Sequence, residues 1–410
     1  MNLIFIVVGI VLAIGIFASP IFGLALTVIL IPISTQQTLG GSFLGLFTMV
    51  TPIKIIGSLT FISTLMHYGG RSGAWNFFKK PQIRYFFLFL IWVFISGVTQ
   101  PGFASRENFT MFTSSAILGV AIIILLHKIK QFKLVLWFIA IAMFFICIQT
   151  VLSYSGLGRA GGTGYGPNEF AIMTLPFIAV TFYMFLVEKN KVLKIILSGI
   201  AATILFALVF TVSRGGMVGL GGMFLILVFK AKRKIITIIL VCITVAIFLS
   251  AMPQTLRERF GKIQVSANAY GTGEGDIDST TRRYYLSQAA WRIFLAHPLF
   301  GIGVGNYYYE NRNYAPVYPG RAHNMYLEMM AELGTIGIFL FLGIIFYTFR
   351  GLNRIIKSKS DLGGYAKGFY LGLVGFLIAG IFLHAQQDRI LWFFIFMSTA
   401  LERIYEKNYS

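Results

Sequence analysis

RRYYLSQAAWRIFLAHPLFGIGVGNYY (residues 282–308) and RAHNMYLEMMAELGTIG (residues 321–337) decide how this chain is read. The first stretch is polar and aromatic, with a glycine-rich end. The second turns apolar just after His323 and continues as a membrane helix. His323 therefore sits at the water-facing mouth of a helix. Leu327, Met330 and Gly334 follow it at helical spacing, which predicts a shared face turned into a bundle.

Working outward, apolar stretches of ~16–24 residues recur along the chain, the length that crosses a bilayer. The 410 residues are 57% hydrophobic and 12% charged, against ~25% charged in a soluble domain. The reading is all-α: a polytopic membrane protein of about 12 transmembrane helices. It forms one membrane domain over residues 1–410, with one large extracytoplasmic loop at 253–323. Spans are expected near 43–66, 84–99, 108–127, 132–152, 168–187, 192–211, 215–229, 235–252, 324–348, 365–384 and 389–404. Residues 3–35, broken at Ser19-Pro20, read as two short spans or a kinked hairpin, and 3–52 as irregularly packed. The first apolar segment lacks a basic n-region and a small-residue cleavage site, so it reads as retained.

The net charge of +20 would point to nucleic acid in a soluble protein. Here every second loop is basic: Lys128, Lys130 and Lys133; Lys189, Lys191 and Lys194; Lys230, Lys232, Arg233 and Lys234; Arg350, Arg354, Lys357 and Lys359. These loops face the cytoplasm, and the charge needs no nucleic-acid partner. Cys147 and Cys242 both lie in apolar spans and make neither a disulfide framework nor a metal set.

The alternate loops, on the outer side, also carry arginines, against the positive-inside trend. Arg159 lies in GLGRAGGTGYGPNEFA, with Asn168 close behind it. Arg214 lies in the tight turn TVSRGGMVG. Arg282 and Arg283 open a helix capped from Ser279-Thr280-Thr281, and Arg321 precedes His323. Singly, each could snorkel to the interface. Together they suit an anion, because the guanidinium fork binds phosphate bidentately. A neutral His323 could take a proton from a hydroxyl or give one to a phosphate. Asn324 belongs to the same junction. Glu328 and Glu332, one and two turns on, are either neutralised by basic neighbours or orient a binding residue. His384, Gln386, Gln387, Asp388 and Arg389 form a second polar cluster that either lines the same cavity or caps a helix end. The loop tyrosines fit sugar stacking or an aromatic belt equally. No nucleotide, zinc-protease or serine-hydrolase motif is present.

These residues, in this order, resemble the O-antigen ligase and O-antigen polymerase superfamily of membrane glycosyltransferases. The resemblance rests on Arg159 with Pro167-Asn168-Glu169-Phe170-Ala171; on Ser213-Arg214-Gly215-Gly216; on Arg283 followed by His297-Pro298-Leu299-Phe300-Gly301-Ile302-Gly303; on Gly305-Asn306-Tyr307; and on His323 to Gly334. It covers residues 155–345, and the earlier chain matches in hydropathy alone. It departs where the family often has a tryptophan four residues after the loop arginine: Ser287 stands there, which leaves Arg282 and Arg283 as rival phosphate ligands.

The resemblance implies transfer of a glycan from a polyprenyl-pyrophosphate donor to a sugar hydroxyl, without cofactor or metal. The bilayer, the donor, the acceptor and a chain-length regulator are the implied partners, and the bacterial inner membrane is the implied location, with the site on its periplasmic face. His323, Arg214 and Arg283 are the expected catalytic set. Arg159, Arg282, Arg321, Asn324, Glu328, Glu332 and Asn168 are the expected substrate-binding set. A polymerase is expected first, an O-antigen ligase acting on lipid A core second, and a flippase third.

Overall fold

A computed structural model describes residues 3–33, 51–100, 105–154, 160–161, 165–231, 233–250, 279–315, 317 and 319–409. The described residues form helices and no strand. In order these are α1 Leu3–Ala18, α2 Pro20–Leu30, α3 Pro52–Tyr68, α4 Pro81–Thr99, α5 Ser105–Leu125, α6 Ile129–Leu152, α7 Pro167–Val187 and α8 Lys191–Phe210. They continue with α9 Arg214–Lys230, α10 Lys234–Ser250, α11 Ser279–Ala296, α12 Tyr307–Glu310, α13 Met325–Lys357, α14 Gly363–Ala379 and α15 Arg389–Tyr409.

The starts are written in the sequence. Pro20, Pro52, Pro81 and Pro167 open four helices, at the position where a missing N–H costs nothing. Asn190, Ser213 and Asn324 cap three more by accepting first-turn N–H groups. Among the described residues, α4, α5, α6, α7, α8 and α13 contain stretches long and apolar enough to cross a membrane. Val11, Ile195, Phe229 and Phe346 stand exposed on helix surfaces. That apolar coat is stable in hydrocarbon, where only helices and closed barrels satisfy their own backbone.

α15 is the central post. Ile390 to Met397 are all buried, with Trp392 ringed by Phe86, Phe89, Phe112 and Phe341. α14 packs on α7 and α9 through glycine. A Cβ on Gly372 would lie 2.8 Å from the Cα of Pro176, and one on Gly219 would lie 2.7 Å from the Gly375 carbonyl. Such small residues let helices approach without a hydrophobic drive.

The contacts sort the helix ends. Ala160 N–H donates to the Phe210 carbonyl, Met325 N–H to the Gly380 carbonyl, and Asn306 to the Gln100 carbonyl. These place the ends of α4, α8, α13 and α14 with the start of α9 at one end of the bundle. At the other end Lys80 pairs with Glu402 at 3.1 Å, and Arg354 pairs with Glu406 at 3.1 Å. The expected span 324–348 extends to Lys357 and is broken at Gly334. The expected long loop is described only from Ser279 onward, where it forms α11 and α12 and packs on α13. Its first part, residues 253–278, lies outside the described residues.

Candidate functional site

The site grows from a break. Gly334 has φ 65° and ψ −165° inside α13. A break strands backbone groups that must find partners. Four of them find partners outside the helix. The carbonyls of Ala331 and Glu332 accept from Ile302 and Gly303 N–H at 3.0 Å each. The Leu333 carbonyl accepts from Trp92 Nε1 at 3.0 Å. Thr335 N–H donates to the Pro298 carbonyl at 2.8 Å. The strap His297–Gly303 therefore replaces one turn of helix. Its closeness requires glycine on both sides. A Cβ on Gly301 (φ 70°) would sit 2.3 Å from the Glu332 carbonyl, and one on Gly334 would sit 2.3 Å from the Leu299 carbonyl.

This corrects the sequence reading of Gly334. It does not continue a face shared with His323; it ends a short helix, Met325 to Leu333. His323 lies ahead of that helix, at φ 50°, a rare conformation for a side chain with a Cβ. Asn324 caps the helix through Oδ1, which accepts from Tyr326 and Leu327 N–H at 3.0 Å each. The histidine and the glycine thus bracket one short helix.

Buried Glu328 holds the turn before it. Its carboxylate accepts from Arg321 Nη1 at 3.1 Å, Ala322 N–H at 2.9 Å and Gln386 Nε2 at 3.0 Å. Ser287 of α11 donates to the Ala322 carbonyl at 2.9 Å. Buried Glu332 accepts from Tyr307 N–H at 3.3 Å. Glu328 thus ties down the backbone just before His323, while Glu332 holds the backbone at Tyr307. Burial opposes the charge of Arg321, but Glu328 and Glu332 outweigh it and hold the guanidinium protonated.

His323 meets the second polar cluster. Its ring lies 5.8 Å from that of His384, nearly edge-on, and its Nδ1 is buried without a hydrogen-bond partner. His384 Nε2 approaches Glu169 Oε1 at 3.6 Å. Burial pushes the His323 pKa down to about 4, with Arg283, His384 and Arg282 adding to it. The imidazole is neutral at pH 7.

The arginines fall into two groups. Arg282, Arg283 and Arg321 surround the His323 turn. Arg282 also donates to the Pro319 carbonyl at 3.0 Å. Arg214 is exposed at the first position of α9, behind Val212 at φ 50°. A Cβ on its neighbour Gly215 would touch Phe382 and Leu383, so Arg214 flanks the loop that carries His384. Asn168 lies in the first turn of α7, next to Glu169. Arg159 lies outside the described residues, and Ala160 ties the adjoining backbone to the end of α8. Sequence reasoning missed Glu169 as the partner of His384 and Trp92 as a cap on the broken helix. Neither stands in a local pattern with what it contacts.

Residues 199–342 match the family model described as O-antigen ligase. This domain runs from α8 to the middle of α13 and includes Arg214, Arg282, Arg283, the strap, His323 and Gly334. Glu169 and His384 lie outside it. The chain is also similar to the teichuronic acid biosynthesis protein TuaE of Bacillus subtilis (strain 168), at 23% identity over 261 residues, 58% of this chain and 51% of TuaE. The match thus spans about half the length of that relative. Both similarities point toward the O-antigen ligase and polymerase superfamily, and the long apolar helices suit a multi-pass membrane protein.

Proposed function

We propose that this chain is a polysaccharide polymerase. It transfers a glycan from a polyprenyl-pyrophosphate donor to a sugar hydroxyl of a lipid-linked repeat unit, on the outer face of the membrane. The carrying observation is a neutral histidine, Nδ1 unpartnered, beside Arg282, Arg283 and Arg321. The basic loops at the opposite end of the bundle support this sidedness, and we keep about twelve crossings as part of the proposal.

In the reaction the bond from the donor's anomeric carbon to pyrophosphate breaks, and its electron pair leaves with the pyrophosphate. The acceptor oxygen forms the new bond, and His323 takes its proton. Arg283 and Arg214 bind the departing anion, with Arg159, Arg282 and Arg321 in support. Such preorganised charge is worth several kcal/mol to a leaving phosphate in a low-dielectric site. The anion does a second thing. Its negative charge offsets the arginines that depress His323, so the imidazole becomes a better base once donor is bound. Asn168, Asn324, Glu328 and Glu332 keep the pocket in shape.

The ligase reading has one specific support, the description of the matched family. A gel of products made from lipid-linked repeats alone separates the two. A ladder of lengths is expected. Absence of a ladder, with transfer restored by a lipid A core acceptor, would assign the chain as a ligase.

A further inference from the structure

The end of α13 farthest from His323 carries a face that the transfer chemistry leaves unused. Phe339, Leu342, Phe346, Arg350, Asn353 and Lys357 follow one another at steps of three or four residues. That spacing lays them in one stripe along the helix. The first half of the stripe is apolar and outward-facing: Phe339, Leu342 and Phe346 are all exposed. The second half is basic, and there a groove of about 670 Å³ opens between α13 and α14. Phe346, Phe349 and Tyr370 give the groove aromatic walls, and Arg350, Asn353, Arg354 and Lys357 line it from α13. The Phe349 and Tyr370 rings meet edge-on at 4.8 Å, and Lys230, at the end of α9, stands 3.7 Å from the centre of the Tyr370 ring.

The positive-inside trend asks only for charge at this end of the bundle. It does not ask that the charge line a groove, nor that exposed aromatic rings lead into it. The nearby carboxylates are engaged elsewhere. Glu402 and Glu406 of α15 hold Arg354, at 3.5 and 3.1 Å, and both also pair with Lys80. Neither lines the groove, and among the described residues no other carboxylate does. Arg350 and Lys357 are exposed at its edge, two turns apart. A guanidinium and an ammonium so placed suit a phosphate. Basic pockets between membrane helices at the headgroup level hold acidic lipid headgroups. The apolar half of the stripe then runs into the hydrocarbon layer, where acyl chains would lie.

We infer that this groove binds the headgroup of an anionic phospholipid, from the leaflet at the basic end of the bundle, with its acyl chains along Phe339, Leu342 and Phe346. The site stands whether the chain is a polymerase or a ligase. The test is native mass spectrometry of the full chain in detergent, titrated with phosphatidylglycerol or with phosphatidylcholine, which carries the same phosphate and no net charge. Wild type should bind its first phosphatidylglycerol about 10-fold or more tightly than its first phosphatidylcholine. Arg350→Gln with Lys357→Gln should lose that preference. Arg350→Lys with Lys357→Arg, which keeps the charge, should retain it. Lys189→Gln with Lys191→Gln removes the same charge from another basic loop and should retain it too. All four positions are exposed, so the variants should fold as wild type does. An unchanged preference in the Arg350 and Lys357 glutamine pair would overturn the inference. So would an equal loss in the Lys189 and Lys191 pair, which would reduce the effect to net charge. Displacement of the lipid by an equal concentration of inorganic phosphate would overturn it as well, leaving a site for free anions.

Discussion

Glu328 is the residue on which the geometry of His323 depends. It is fully buried and its three contacts fix both sides of the turn. Breaking a buried pair leaves an uncompensated charge, at a cost of about 3–5 kcal/mol. Arg321 is about a third exposed, and solvent screening lowers that figure. Glu328→Gln should therefore lower the thermal midpoint and cut transfer together, whereas loss of transfer at an unchanged midpoint would contradict its orienting role. His323 gives a pH test. Its folded pKa of about 4 lies below the ordinary 6.5. The neutral form dominates above the folded value, and His323 destabilises the fold only as pH falls from 6.5 toward 4. The acid limb of kcat/KM, which reports the free enzyme, should fall near the lower value. The limb of kcat should lie higher, because bound pyrophosphate raises the imidazole. Coincident limbs would remove substrate-assisted basicity. At Arg283, lysine keeps the charge and loses the fork. Arg283→Lys should slow transfer by about 10²-fold, measured as initial rate at equal expression.

The broken helix α13 is the element that makes the site, and its break was only half legible. The run HPLFGIGVGN reads as a glycine-rich loop, and Asn324 reads as a cap. Neither shows that the loop supplies hydrogen bonds to a helix further along the chain. The freed carbonyls of Ala331, Glu332 and Leu333 are satisfied by tertiary partners, and hydropathy has no signal for them. The prediction is direct. Gly334→Ala places a Cβ 2.3 Å from the Leu299 carbonyl at a left-handed φ. It should cost about 2 kcal/mol or more, seen as a lower midpoint and lost activity. A Cβ added at Gly199 or Gly221 would meet nothing within 4 Å, so alanine there should leave both unchanged.

At the scale of the molecule, hydrophobic periodicity locates the helices and the alternation of basic loops sets an orientation. Proline and asparagine at helix starts fix boundaries to within a few residues. The pairing of Glu169 with His384 was not readable, because it joins α7 to the loop before α15 across most of the chain. Nor was the central place of α15, because burial of Ile390 to Met397 comes from tertiary packing and hydropathy does not rank it. The fold brings polar groups of α7, α9, α13 and α15 to one end, and there, in the proposed mechanism, His323 takes the acceptor proton. The sharpest test is the initial transfer rate of His323→Gln in bilayers, alongside its binding of undecaprenyl pyrophosphate. Binding should be unchanged and the rate lower by about 10²–10⁴-fold. A rate equal to that of wild type would take His323 out of the chemistry.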